Sequence, residues 1–228
     1  MSTLFDELQK QMKNGYERSD RETGFISRNA LSQIFTHSKL KYNLKNDYEK
    51  SQVIRKPRHS DLEQMISYVR DDAPKLYALL VLLKTSEKII PLFGHKPRVT
   101  DALFDTFDDE DFGPCCDKRS LKSIPHLRDV ADSLCEVQWY IPPVLDSKIH
   151  GKFPVSHFRF PFTSKPEPLP KEKQGSWGIV SKVEVAPEHL KSDCATPVSR
   201  PKSAKVMRSA NVSLLGQGFV LQDGQKDG

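Results

Sequence analysis

Gly175, Ser176, Gly178 and Val180, within EKQGSWGIVSKVEV, are the residues whose types and spacing could do chemistry. Two glycines three positions apart, followed by an alternating run, are what a phosphate-binding loop requires. The backbone there must turn tightly and lay its N–H groups against phosphate oxygens, and a side chain at either glycine would stand in the way. Val180 would then pack on a purine ring from the roof of the site. The pattern is the latter part of G-x-G-x-x-G-x-V, with Lys173 where the first glycine belongs. An ordinary β-hairpin with a Gly-Ser-Trp-Gly turn satisfies the same spacing.

The other chemical candidates are poorer. A nucleotide site of this type needs a lysine on a following strand, and the sequence offers only Lys202 and Lys205 in RPKSAKVM, neither preceded by alanine at the right step. Asp111-Phe112-Gly113 spells a magnesium-binding tripeptide but precedes the glycines, so its order is wrong and a turn is its expected role. His126-Leu127-Arg128-Asp129 resembles a catalytic loop in letters only, because its spacing fits an amphipathic helix with Leu127 inward. The acidic run Phe107 to Phe112 lacks the spacing of a calcium loop. Cys115, Cys116, Cys135 and Cys194 show no C-x-x-C spacing and no paired histidines, which argues against zinc and for reduced cysteines. No catalytic residue and no metal ligand is assigned.

The elements that must position these residues change character along the chain. The 228 residues carry 37% hydrophobic and 29% charged residues, with sixteen prolines against eleven glycines, so a core coexists with irregular stretches. Leu4, Phe5, Leu8 and Met12 recur at helical spacing, with Gly15 as the stop. Ser27 is placed to cap a second helix bearing Leu31, Ile34 and Phe35. The following lysine-rich stretch, HSKLKYNLKNDYEKSQVIRKPRH, shows no clear period and reads as a solvated linker or surface loop. Ser60 and Glu63 form a capping-box pattern ahead of Leu62, Met65, Ile66 and Val69. DDAPKLYALLVLLK is apolar all the way round, with Asp72 as its cap and Pro74 in its first turn, so it should be the central buried helix. Leu127, Val130, Ala131, Leu134 and Val137 share one more helical face, which Pro142 and Pro143 end. Beyond them HFRFPF and GIVSKVEV alternate as strands do, and the stretch after about Lys191 has no sustained period.

Three stretches together resemble the long, predominantly fungal group of serine/threonine protein-kinase-like proteins. They are LYALLVLL, then VQWYIPPVLDSKIHGKFPVSHFRFPF, then KQGSWGIVSKVEVAPEHL, which ends in Val183, Val185, Pro187 and His189. The resemblance covers about residues 25 to 190. It implies a glycine-rich loop and the first hairpin of a kinase small lobe, with ATP and Mg as cofactors. The H-R-D loop, the metal motif in its proper order and A-P-E do not follow Gly178, so the resemblance implies a truncated relative without phosphotransfer activity and with at most weak ATP binding.

The expected architecture is α+β. It comprises a helical module over 1–143, a partial small lobe with a glycine-rich β-hairpin over 144–190, and a disordered basic tail over 191–228. The alternative function is a helical protein–protein interaction or regulatory module with no nucleotide site. A net charge of +5 permits acidic partners without demanding them. The basic tail would suit phosphates, but aromatic residues for base stacking are absent between Lys191 and Ala210, which argues against nucleic acid. The longest apolar run, Leu76 to Leu83, is too short to span a bilayer, and the first twenty residues lack the apolar segment of a secretory signal. An intracellular location is expected.

Overall fold

The computed structural model describes residues 3–13, 24–51, 58–104, 118–143 and 189, and the backbone of 14–16, 105, 167–168, 180–184, 209–215 and 218–223. Among residues whose side chains are described, all regular structure is helical. The elements are α1 (Leu4–Tyr16), α2 (Arg28–Ile34), α3 (His37–Lys50), α4 (His59–Ser67), α5 (Pro74–Leu82), α6 (Ile89–Phe93), α7 (Ala102–Asp105), α8 (Lys118–Ser123) and α9 (Ala131–Val137).

This overturns the expected α+β class. The body that packs a core is helical and contains no strand of a kinase-type hairpin. The strands fall later, as backbone only: β1 (Glu167–Pro168), β2 (Val180–Glu184), β3 (Ser209–Leu215) and β4 (Gly218–Asp223), antiparallel in that order. Nor is their pairing that of a glycine-loop hairpin. The five residues of β2 all pair with β3, from Val180↔Ser213 to Glu184↔Ser209, while only Ser181 and Lys182 pair with β1. The physical reason for the error is that alternation over a few residues reports strand tendency but not the partner strand.

α5 is the centre of the core. Leu76, Tyr77, Ala78, Leu79 and Leu80 are fully buried, which a helix apolar on every side requires. It touches α1, α2 and α9. Pro74 occupies its first turn, where a missing N–H is harmless. At the other end Thr85 N–H reaches the Leu80 carbonyl at 2.9 Å and Lys84 N–H the Val81 carbonyl at 3.0 Å. That pair of bonds is a Schellman ending, here with Lys84 rather than glycine at the left-handed position, φ 59°.

The first part of the lysine-rich stretch read as a linker, His37–Lys50, is in fact α3. Leu40 and Leu44 are fully buried, and Asp47 continues their stripe inward. The Asp47 carboxylate accepts hydrogen bonds from Tyr77 Oη at 2.7 Å and Ser86 Oγ at 2.6 Å. Burial pushes the Asp47 carboxyl above its ordinary range, against the lowering effect of those two donors. Burial and the facing carboxylate also push the Tyr77 phenol up.

α4 carries Met65 and Ile66 inward, then opens into a π-turn over Tyr68–Asp72 that keeps Tyr68 and Val69 buried. The cap of α4 differs from the expected Ser60–Glu63 box: the Asp61 carboxylate accepts the Arg58 N–H at 3.1 Å. The wide turn closes with Ala73 N–H on the Tyr68 carbonyl at 2.9 Å. Pro74 then starts a new helix because it has no N–H to continue the old one.

Candidate functional site

A cavity of 190 Å³ lies where the start of α2, the π-turn and the start of α5 meet Asp101 and Ile141. Its apolar lining comes from Leu31, Phe35, Pro74 and Ile141. Its charged lining comes from Arg28, Arg70, Lys75 and Asp101. Three cations and one carboxylate line it, and the Arg70 guanidinium is already paired with the Asp71 carboxylate.

Each charged group is placed by a nearby backbone event. Arg28 is the first residue of α2, whose cap is Ser27, as expected: its Oγ accepts the Ala30 N–H at 3.1 Å. Arg70 sits in the π-turn and is exposed, paired with Asp71 at 2.8 Å. Lys75 belongs to the first turn of α5 and is buried, with Nζ 5.2 Å from the centre of the Phe104 ring. A buried ammonium is tolerated where an aromatic face and a carboxylate offset its lost hydration.

Asp101 organises the site. It accepts the Lys75 N–H at 2.7 Å and the Leu76 N–H at 2.9 Å, and so caps α5 from 26 and 25 residues further along the chain. Asp72, the cap expected from sequence, does something else. Its carbonyl accepts the Asp101 N–H at 2.9 Å and its carboxylate pairs with Arg98 at 3.5 Å. Arg98 in turn lies over the Tyr68 and Phe93 rings, and the Tyr68 hydroxyl donates to the Val99 carbonyl. This frame fixes the backbone that carries Asp101. Burial pushes the Asp101 carboxyl up to about 6, with the two N–H donors, Lys75 and Arg28 pulling it back. Its protonation therefore changes the charge of the cavity just below neutral pH.

Gly175, Ser176 and Gly178 fall outside the described residues, as do Asp111-Phe112-Gly113, Lys202 and Lys205. Val180 opens β2, opposite Ser213. His126, Arg128 and Asp129 are exposed in a turn rather than on a helix, with Leu127 buried, and Asp129 pairs with Lys88 at 2.8 Å. Among the described residues no group of three histidine, cysteine or acidic side chains is arranged to hold a metal. No helix among the described residues is long and apolar enough to cross a membrane.

The four charged residues of the cavity carried one legible signal. Lys75 is the single charged residue in PKLYALLVL, a helix otherwise free to bury every face. A charge there asks for a partner, but the sequence does not say that the partner is Asp101. No protein-family profile, no curated protein and no solved structure matches this chain.

Proposed function

We propose that the helical body is a protein-interaction module whose cavity receives an acidic side chain from a partner segment. The observation that carries this reading is the lining itself: Arg28, Arg70 and Lys75 around Asp101, beside Leu31, Phe35, Pro74 and Ile141. At 190 Å³ the cavity is smaller than the roughly 300–1,000 Å³ of most small-molecule sites. It fits one side chain of a larger partner, not a nucleotide. The apolar wall suits a neighbouring leucine or proline, and the cations suit a glutamate or aspartate carboxylate.

A fluorescein-labelled peptide of alternating glutamate and leucine is the probe. It should bind saturably, and Arg28→Ala with Arg70→Ala should weaken it at least about tenfold, the loss expected when charge-assisted hydrogen bonds are removed. A lysine–leucine peptide should not bind. Equal binding of the two peptides, or full affinity in the double variant, would overturn the reading. The affinity should also rise as pH falls through about 6, because protonated Asp101 no longer opposes an incoming carboxylate. The gain ends near pH ~4.3, where the peptide's own glutamates are neutralised.

A further inference from the structure

Arg70 lines the cavity, yet its guanidinium is held by the next residue of the chain. Nε donates to Asp71 Oδ1 at 2.8 Å and Nη2 donates to Asp71 Oδ2 at 3.0 Å, a two-point fork. Adjacent residues of an α-helix do not face each other. These two lie in the wide π-turn, which buries Tyr68 and Val69 and leaves Arg70, Asp71 and Asp72 outside in succession. The pair also straddles a divide. Arg70 lines the 190 Å³ cavity, whereas Asp71 lines a second one of 460 Å³ with Glu63, Asp72 and Arg98.

Asp71 therefore presents to Arg70 the same group that an acidic ligand would bring. The two side chains are 50% and 53% exposed, so water screens the pair and solvates either partner once they part. An exposed pair of this kind shifts an equilibrium by about fivefold at most. A carboxylate entering the cavity meets Arg28 and Lys75 as well as Arg70, beside an apolar wall. The entering group has the larger hold, and two carboxylates on one guanidinium repel each other.

We propose that Asp71 is a built-in competitor: it occupies the Arg70 fork in the free chain and is displaced when a partner's carboxylate enters the cavity. The inference rests on the acidic-partner reading and adds to it the residue that limits affinity. The exchange leaves no charge stranded. Asp71 returns to water on the side of the second cavity while the guanidinium takes its new partner.

A double-mutant cycle with the fluorescein-labelled glutamate–leucine peptide at neutral pH is the test. Asp71→Ala should bind about two- to fivefold more tightly than the wild type. Added to Arg70→Ala, the same change should bring no gain. An equal gain in both backgrounds would make Asp71 merely one more negative charge near the site, and the proposal would fall. It would fall alone if the wild type bound the peptide and Asp71→Ala bound no better. No binding by either chain would overturn the acidic-partner reading, and the competitor role with it. Carbon-13 NMR of the wild type gives a readout without peptide. The Asp71 carboxyl should titrate below the ordinary aspartate range, held down by the Arg70 fork, and return to that range in Arg70→Ala. An ordinary titration in the wild type would remove the competitor and leave the acidic-partner reading standing. On saturation with peptide, the Asp71 carboxyl carbon should move toward its position in free Arg70→Ala. A resonance that stays in place while the peptide binds would overturn the exchange.

Discussion

α5 and α3 are both core helices, and they reach that position by opposite routes. α5 is apolar on all sides and buries every residue from Lys75 to Val81. α3 carries His37, Lys39, Lys41, Lys45 and Lys50, and buries only Leu40, Leu44 and Asp47. The difference shows how little apolar sequence a helix needs once its neighbours supply the rest. Three inward positions at i, i+4 and i+7 form a continuous stripe, and the lysines occupy the other faces at no loss because water solvates them there. Even the polar member of the stripe is accounted for, since Asp47 bonds to Tyr77 of α5 itself. Tyr42, 70% exposed, marks the face of α3 opposite the stripe.

The comparison breaks if the leucines of α3 prove dispensable. Leu44→Ala and Leu79→Ala remove equally buried side chains, so each should cost about 2–5 kcal/mol in chemical denaturation. A loss for Leu79→Ala alone would return α3 to the status of a surface appendage. The next effect in size is Asp47→Ala, which strips the acceptor from the buried Tyr77 hydroxyl and the half-buried Ser86 hydroxyl. It should cost about 1–3 kcal/mol, whereas the neighbouring exposed Lys45→Ala should stay within about 0.5 kcal/mol. Similar values for the two variants would mean that the network does not couple the helices.

A pH effect sharpens the account of α5. Its cap, Asp101, titrates near 6 in the folded chain against roughly 3.9 in the unfolded one. Between those values the folded state binds more protons, so this group's contribution to stability falls as pH rises from about 4 to 6 and is flat above. Other carboxyls, such as Asp129 beside Lys88, are shifted down and slope the other way. The informative quantity is therefore the wild type minus Asp101→Asn, measured by urea melts across that window. It should change by up to about 2 kcal/mol. A constant difference would show that Asp101 titrates normally.

The smallest change concerns the end of α5. Lys84→Gly relieves a left-handed residue but adds freedom to the unfolded chain and removes the ammonium 5.2 Å from the Phe5 ring centre. The thermal midpoint should rise, by an amount equivalent to no more than about 1 kcal/mol. A fall would mean that the contact with Phe5 outweighs the backbone strain.

Much of the helical body was legible residue by residue. The faces of α1, α4 and α5, the Ser27 cap, the stop at Pro142 and the inward Leu127 follow from spacing and from the fixed chemistry of caps and prolines. α3 was not legible because its period is carried by two leucines and a buried acid, and lysine density masks so sparse a signal. The start of α9 was misplaced for a related reason: residues 125–130 keep a helical spacing of apolar side chains while forming turns. The backbone of Val180–Glu184 pairs with Ser209–Leu215, a partner that local alternation could not specify.

The sequence by itself determined which residues seek the interior and where several helices begin and end, since burial preference and capping are local properties. Only the tertiary structure decided which polar groups meet there. Asp101 caps α5 although Asp72 is nearer in sequence, Asp47 finds Tyr77, and His189 finds the Arg28 N–H. A lone charged or polar residue in a sequence specifies that it must be satisfied once buried, but any donor or acceptor of matching geometry will do. The choice among them belongs to the packing of the whole core, which brings distant segments within hydrogen-bond reach.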